Sequence, residues 1–294
     1  MIQIILFVFF LSLLHADPAD FKIGLSQGYR REKQDFSISG IKGSPNIVSE
    51  LTFKDIDVYV TRLWASVMKD GYYLKGSGAY GKILDGRTID NDYARDDRKG
   101  HFSHSVHDIT GDYTADFRLQ LGRSFEVIGV HVGYSAYLQR MRFKHGKVWT
   151  TTMFNGGKGK YRPVHGLNST LKTNWHGPEL GLELKQPVAA CVDIIAHYSF
   201  LFPLRYEANG HWNLRKKHHR HFDMHNRSTK SFGNIFGICL SWCLSPAWSL
   251  QAAYEYLRFS SRGGHEKVGN VRVPMKKAHL TSQEVRLSLV CSLA

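Results

Sequence analysis

Residues 191–202 read "CVDIIAHYSFLF". Val192, Ile194, Ala196, Tyr198, Phe200 and Phe202 occupy every second position, while Cys191, Asp193, His197 and Ser199 fall between them. Side chains separated by two residues share one face of a strand, so this stretch predicts a β-strand with one apolar and one mainly polar face. The same alternation returns in "DYTADFRLQLG" (112–122), "SFGNIFGICLSWCL" (231–244) and "EVRLSLVCSL" (284–293). In each, aliphatic and aromatic residues oppose Asp, Glu, Arg, Gln, Ser or Gly. Strands of about ten residues with an apolar outer and a polar inner face are the pattern of a membrane-spanning barrel. An aromatic content of 13% suits the girdles such barrels carry at the two interfaces.

Connectors support the same reading. Short turns are expected at Lys69–Gly71, Gly122–Ser124, Gln186–Pro187 and Ser245–Pro246, and longer polar connectors at 85–110, 146–167, 209–229 and 262–279. Short and long alternate, as in outer-membrane barrels. Strands are predicted at 20–40, 46–68, 72–89, 110–122, 125–145, 167–185, 188–208, 229–244, 247–261 and 279–293. The fold class is therefore all-β: a ten-stranded antiparallel transmembrane β-barrel, with no internal repeat and no linker. Ile4–Leu14 is an apolar run followed by "HADPAD". It is shorter than the roughly 20 residues a membrane helix needs and reads as a signal peptide over 1–16. Residues 17–294 then form the barrel domain, localised to a bacterial outer membrane and in contact with its lipid.

The net charge of +14 points to anionic partners rather than to nucleic acid, which an exported protein seldom meets. No phosphate-binding loop, dinucleotide fingerprint or zinc-finger spacing occurs. The segment 211–227, "HWNLRKKHHRHFDMHNR", predicts a basic outer loop that attracts polyanions. His218, His221 and His225 have a metal-like spacing, but Asp223 is the one acid nearby to support them, so no metal and no cofactor is expected.

Against the basic background, "DGRTIDNDYARDD" (85–97) holds five aspartates. Asp90 and Asp92 are two residues apart, hence on one face of a strand. Two carboxylates held together share a proton, which supplies an acid and an acceptor at one place. The position of this pair, at the outer end of the third strand, resembles the omptins, ten-stranded outer-membrane proteases. Gly86-Arg87-Thr88-Ile89-Asp90-Asn91-Asp92-Tyr93 looks like their motif of glycine, two residues, an apolar residue and Asp-x-Asp-aromatic. The resemblance implies a water-mediated endopeptidase acting on peptide or protein substrates near basic residues. Asp90 and Asp92 would form one half-site, and "RYEANGHWN" (205–213) the other. His211 would be the base, with Asn209 where the family has an aspartate. Glu32 and Glu207 would receive the basic substrate side chain. Asn209 weakens this reading, since an amide brings no charge to stabilise an imidazolium. The family's lipid-A contact pattern, Tyr-x-Glu-x-Arg, aligns with Tyr134, Ala136 and Leu138, which lack its acid and base.

Two non-enzymatic readings stand beside hydrolysis. One is a surface binding or structural barrel in which the site has lapsed. The other is a narrow pore lined by Asp112, Asp116, Arg118, Glu183, Glu284 and Arg286. Of the four cysteines, Cys191, Cys239 and Cys243 should face inward and Cys291 the lipid. Cys191 and Cys243 lie on neighbouring predicted strands, which leaves open a disulfide or simple packing.

Overall fold

The computed structural model describes residues 19–150, 161–217, 220–268 and 270–293; the signal segment 1–16 lies outside them. The strands are β1 (Asp20–Ile38), β2 (Ser49–Lys69), β3 (Tyr72–Tyr93), β4 (His101–Phe125), β5 (Ile128–Thr150), β6 (Tyr161–Pro163), β7 (Ser169–Ala189), β8 (Val192–Lys217), β9 (Arg220–Ser245), β10 (Trp248–Arg262), β11 (His265–Val268) and β12 (Val271–Leu293). Ten of them pair antiparallel in the order β1-β2-β3-β4-β5-β7-β8-β9-β10-β12. β12 pairs back onto β1 from Phe21↔Leu293 to Ile38↔Met275, which closes the ring. Short β6 and β11 flank this ring beside β5 and between β9 and β12.

Several expected boundaries need correction. Tight turns fall at Asp70–Gly71, Glu126–Val127, Ala190–Cys191 and Pro246–Ala247, so the second and third lie about four residues beyond the positions read from Gly122–Ser124 and Gln186–Pro187. The connector expected over 209–229 is strand: β8 continues to Lys217 and β9 resumes at Arg220. β4 and β12 likewise begin earlier than expected, at His101 and Val271. Polar residues mislead here because these strand ends stand in water.

The reason appears when single strands are followed from the turn end to the loop end. On β1 the outward residues begin as Ile23, Leu25 and Tyr29, then become Arg31 and Lys33; the inward ones begin as Gly24 and Ser26 and end in buried Phe36. β12, running the other way, exposes Val285, Leu287, Leu289 and Leu293, but carries Thr281, His279 and Lys277 outward above them. Its inner face passes from Ser288 and Glu284 to fully buried Leu280 and Ala278. In the turn-end half, lipid is the outer solvent, so apolar residues point out. In the loop-end half water is outside, and the same alternation is inverted to place apolar residues within.

The lumen therefore has three levels. At the turn end is a polar cavity of about 310 Å³, lined among others by Trp64, Lys75, His131 and His197. Above it lies a layer of buried charges. Arg30 donates to Glu284 (2.6 and 2.9 Å) and Asp116 (2.7 Å); Arg62 donates to Asp116 (2.7 Å); Arg118 forms a bidentate pair with Glu255 (2.6 and 3.0 Å). The loop-end half is filled by an apolar core in which Phe53, Ile56, Ile109, Phe143 and Trp175 are almost inaccessible. Trp175 packs on Tyr206 (ring centroids 4.4 Å) and Phe259 (5.7 Å).

Candidate functional site

Two bulges decide which residues meet inside the loop-end half. On β3, Ile83 is buried and its neighbours Lys82 and Leu84 are exposed. The pairing with β2 then slips around Asp57 and Asp85. Beyond the slip the even-numbered residues turn inward: Gly86 and Thr88 are buried, and Asp90 and Asp92 follow them. Asp90 is paired across strands with buried Leu51 and buried Ser105, which share its face. Ser49 Oγ donates to Asp90 Oδ1 at 3.3 Å. The structure thus keeps Asp90 and Asp92 on one inner face, half-buried at the rim.

On β8 a bulge does the opposite. Asp193, His197, Ser199 and Leu201 form the inner row of the turn-end half, which would send 207, 209 and 211 inward as well. The register slips between Leu201 and Leu204, at Phe202–Pro203. The inner row then becomes Leu204, Tyr206, Ala208 and Gly210, the first three fully buried. Glu207, Asn209 and His211 stand on the outer wall. There each meets its directly facing partner on β9: Glu207 with Arg227 (3.4 Å), Asn209 with His225, and His211 Nδ1 with Asp223 Oδ1 (2.8 Å). His211 and Asp223 are about half exposed. The expectation that His211 and Glu207 join the aspartates in one lumenal cleft is therefore corrected: a one-residue slip separates them by the barrel wall.

Glu32 faces inward and is buried, but below the rim. Its carboxylate accepts from Tyr137, from Gln139 (2.6 Å) and from Ser282 (3.4 Å), and Arg30 lies 3.5 Å away. It belongs to the packed interior rather than to the rim that carries Asp90 and Asp92. Tyr134, Ala136 and Leu138 form an outward row on β5. Tyr134 Oη lies 2.6 Å from His176 Nδ1.

Sequence reasoning passed over two residues that do join Asp90. Ser105 is its cross-strand partner, and His107 follows on the same face. His107 Nδ1 lies 3.3 Å from the His145 carbonyl oxygen, which can only accept, so Nδ1 carries the proton and Nε2 accepts from Ser105 Oγ at 2.9 Å. Burial holds the His107 pKa below the ordinary histidine range, against upward pulls from the His145 carbonyl and Asp108. A neutral imidazole beside a hydroxyl could accept its proton. The imidazole is, however, oriented by a backbone carbonyl rather than a carboxylate. The period-two spacing of Ser103, Ser105 and His107 in "HFSHSVH" (101–107) was the signal for this row.

A family model described as Protochlamydia outer membrane protein (Pom) matches residues 24–292. No curated protein matches the sequence. Among solved structures, the outer membrane protease OmpT from Escherichia coli superposes with a TM-score of 0.80 at 11% identity, covering 93% of this chain and 97% of that one. The translocator domain of the autotransporter NalP from Neisseria meningitidis covers 95% of this chain and 90% of its own at 10% identity, with a TM-score of 0.38. At such identities the OmpT match is a match of fold: a ten-stranded outer-membrane barrel.

Proposed function

The chain belongs to the Protochlamydia outer membrane protein family, and from that premise we propose that it is a sealed, non-hydrolytic outer-membrane barrel that serves as a surface structural and binding element. The observation that carries this reading is the inner row Leu204, Tyr206, Ala208 and Gly210 of β8, with Glu207, Asn209 and His211 on the other face. Water-mediated peptide hydrolysis, the activity implied by the omptin resemblance, needs a base within hydrogen-bond reach of a water held by the aspartates. The β8 inner row brings neither acid nor imidazole, the imidazole on the Asp90 face, His107, is tied to Ser105 Oγ and the His145 carbonyl, and an apolar core packs the described part of the loop-end half. The same filled lumen, with the charge layer beneath it, argues against a narrow pore. The polar outer wall of the loop-end half is the surface left for partners, with polyanions favoured by the basic sequence of the β8–β9 hairpin.

Refolded protein tests this directly. A fluorogenic peptide with a basic dyad should remain uncut by the wild type, Asp90→Ala, His211→Ala and Asn209→Asp alike. Planar bilayers should show no conductance steps. Cleavage that disappears in Asp90→Ala and His211→Ala would restore the protease reading, and a steady conductance would favour the pore.

A further inference from the structure

We propose that Cys191 and Cys243 form an intramolecular disulfide at the turn end of the barrel, locking the base of the β8–β9 hairpin. Cys191 is the second residue of the Ala190–Cys191 turn, and Cys243 lies three residues before Pro246 at the next one. Val192 pairs with Trp242, so the next position along places the two cysteines opposite each other. The backbone confirms that opposition: Cys243 N–H donates to the Cys191 carbonyl at 2.9 Å. Directly facing residues of a hydrogen-bonded antiparallel pair have Cα atoms about 5.5 Å apart, inside the roughly 4.4–6.8 Å span of a disulfide.

Access and compartment agree with the geometry. Both thiols are exposed, whereas Cys239 and Cys291 are half-buried. Short turns of outer-membrane barrels face the periplasm, an oxidising space. In the dithiol form Cys243 Sγ rests against the carbonyl of Ser245 at 3.2 Å, a contact that forming the disulfide would exchange for the bond to Cys191. The reaction is an exchange with a periplasmic disulfide-bearing oxidant. The Cys191 thiolate attacks the oxidant's disulfide, and Cys243 then attacks the Cys191 sulfur of the mixed disulfide. Two electrons and two protons pass to the oxidant, which leaves as a dithiol.

The bond closes a loop that contains all of β8 and most of β9, the two 26-residue strands. It would hold the register at the base of the hairpin while the β8 bulge resets it higher up.

The test is thiol alkylation of intact cells before lysis, followed by mass spectrometry of the purified full chain. Expected are two alkylated cysteines without reduction, Cys239 and Cys291, four after reduction, and a linked peptide pair containing residues 191 and 243. Cys191→Ser and Cys243→Ser should each release one further alkylatable thiol while Cys239 and Cys291 stay unchanged. Four alkylated cysteines without reduction would overturn the proposal. So would a reducible dimer through Cys191 or Cys243, because the pairing would then be between chains. Neither result depends on whether the barrel hydrolyses peptides.

Discussion

Replacing Asp116 by Asn probes whether the charge layer is a structural seal. Asp116 bridges two guanidinium groups: Oδ2 accepts from Arg30 at 2.7 Å, and Oδ1 accepts from Arg62 at 2.7 Å. All three side chains are at most 5% exposed. In the layer Arg30, Arg62, Arg118 and Arg286 are balanced by Glu32, Asp116, Glu255 and Glu284. An amide removes one negative charge and sets an N–H₂ donor against a donor at hydrogen-bond distance. The layer is left with an uncompensated cation, and breaking a buried ion pair in this way costs about 3–5 kcal/mol. Arg62→Met added to Asp116→Asn restores the balance and replaces the guanidinium with an apolar chain of similar length. The double variant should regain at least half of the loss. The assay is equilibrium urea unfolding in lipid vesicles, followed by tryptophan fluorescence and by the gel-mobility shift of heated barrels. If the single variant loses less than ~1 kcal/mol, below the range expected for a buried pair, or if the double variant is weaker than the single one, the layer does not hold the barrel as described.

Four other expectations follow from the same structure. Trp175→Ala removes the centre of the aromatic stack with Tyr206 and Phe259; it should cost about 3–5 kcal/mol in the same urea assay. Deleting Phe202 removes the β8 bulge and turns Glu207, Asn209 and His211 into the apolar core. The variant should fail to show the wild-type mobility shift, while Pro203→Ala, which keeps the residue count, should retain it. His211→Ala loses one half-exposed cross-strand partner and should change stability by no more than ~1 kcal/mol. Burial, with the nearby His101 for His104, holds His104 and His107 below the ordinary histidine pKa. The unfolded chain then binds protons first. Their contribution is complete above about pH 6.5 and declines as pH falls through the lower folded values. Hydrogen exchange over residues 101–108 should therefore be faster at pH 5 than at pH 8 after correction for intrinsic rates; equal or slower opening at pH 5 would contradict the assignment.

The barrel was legible because lipid imposes a regular code. Runs such as Val285–Leu293 alternate without interruption where one face meets hydrocarbon, and the strand count follows from them. Above the membrane the code inverts. His104 and Asp108 on β4, or Asn209 and His211 on β8, then read as loop residues although they sit on paired strands. The site was harder to read, since it depends on parity, and parity depends on single extra residues. Asp90 and Asp92 face inward because of the slip near Asp85, where no side chain announces it. The slip on β8 did carry a mark, Pro203 within an otherwise regular strand. Taking that proline as a bulge would have set Tyr206, Ala208 and Gly210 on the inner face from the sequence itself.

The length of the β8–β9 hairpin bears on what its tip can sense. Strands of 26 residues, rising about 3.3 Å per residue and tilted by about 40°, span ~65 Å, against an apolar band of about 25 Å. The backbone at Lys217 and Arg220 thus stands ~40 Å beyond the hydrocarbon, which at physiological ionic strength is about five screening lengths. Over that distance counter-ions hide the charge of the bilayer from the tip. At that height the strand backbone lies beyond the reach of the electrostatic field of the membrane that anchors it.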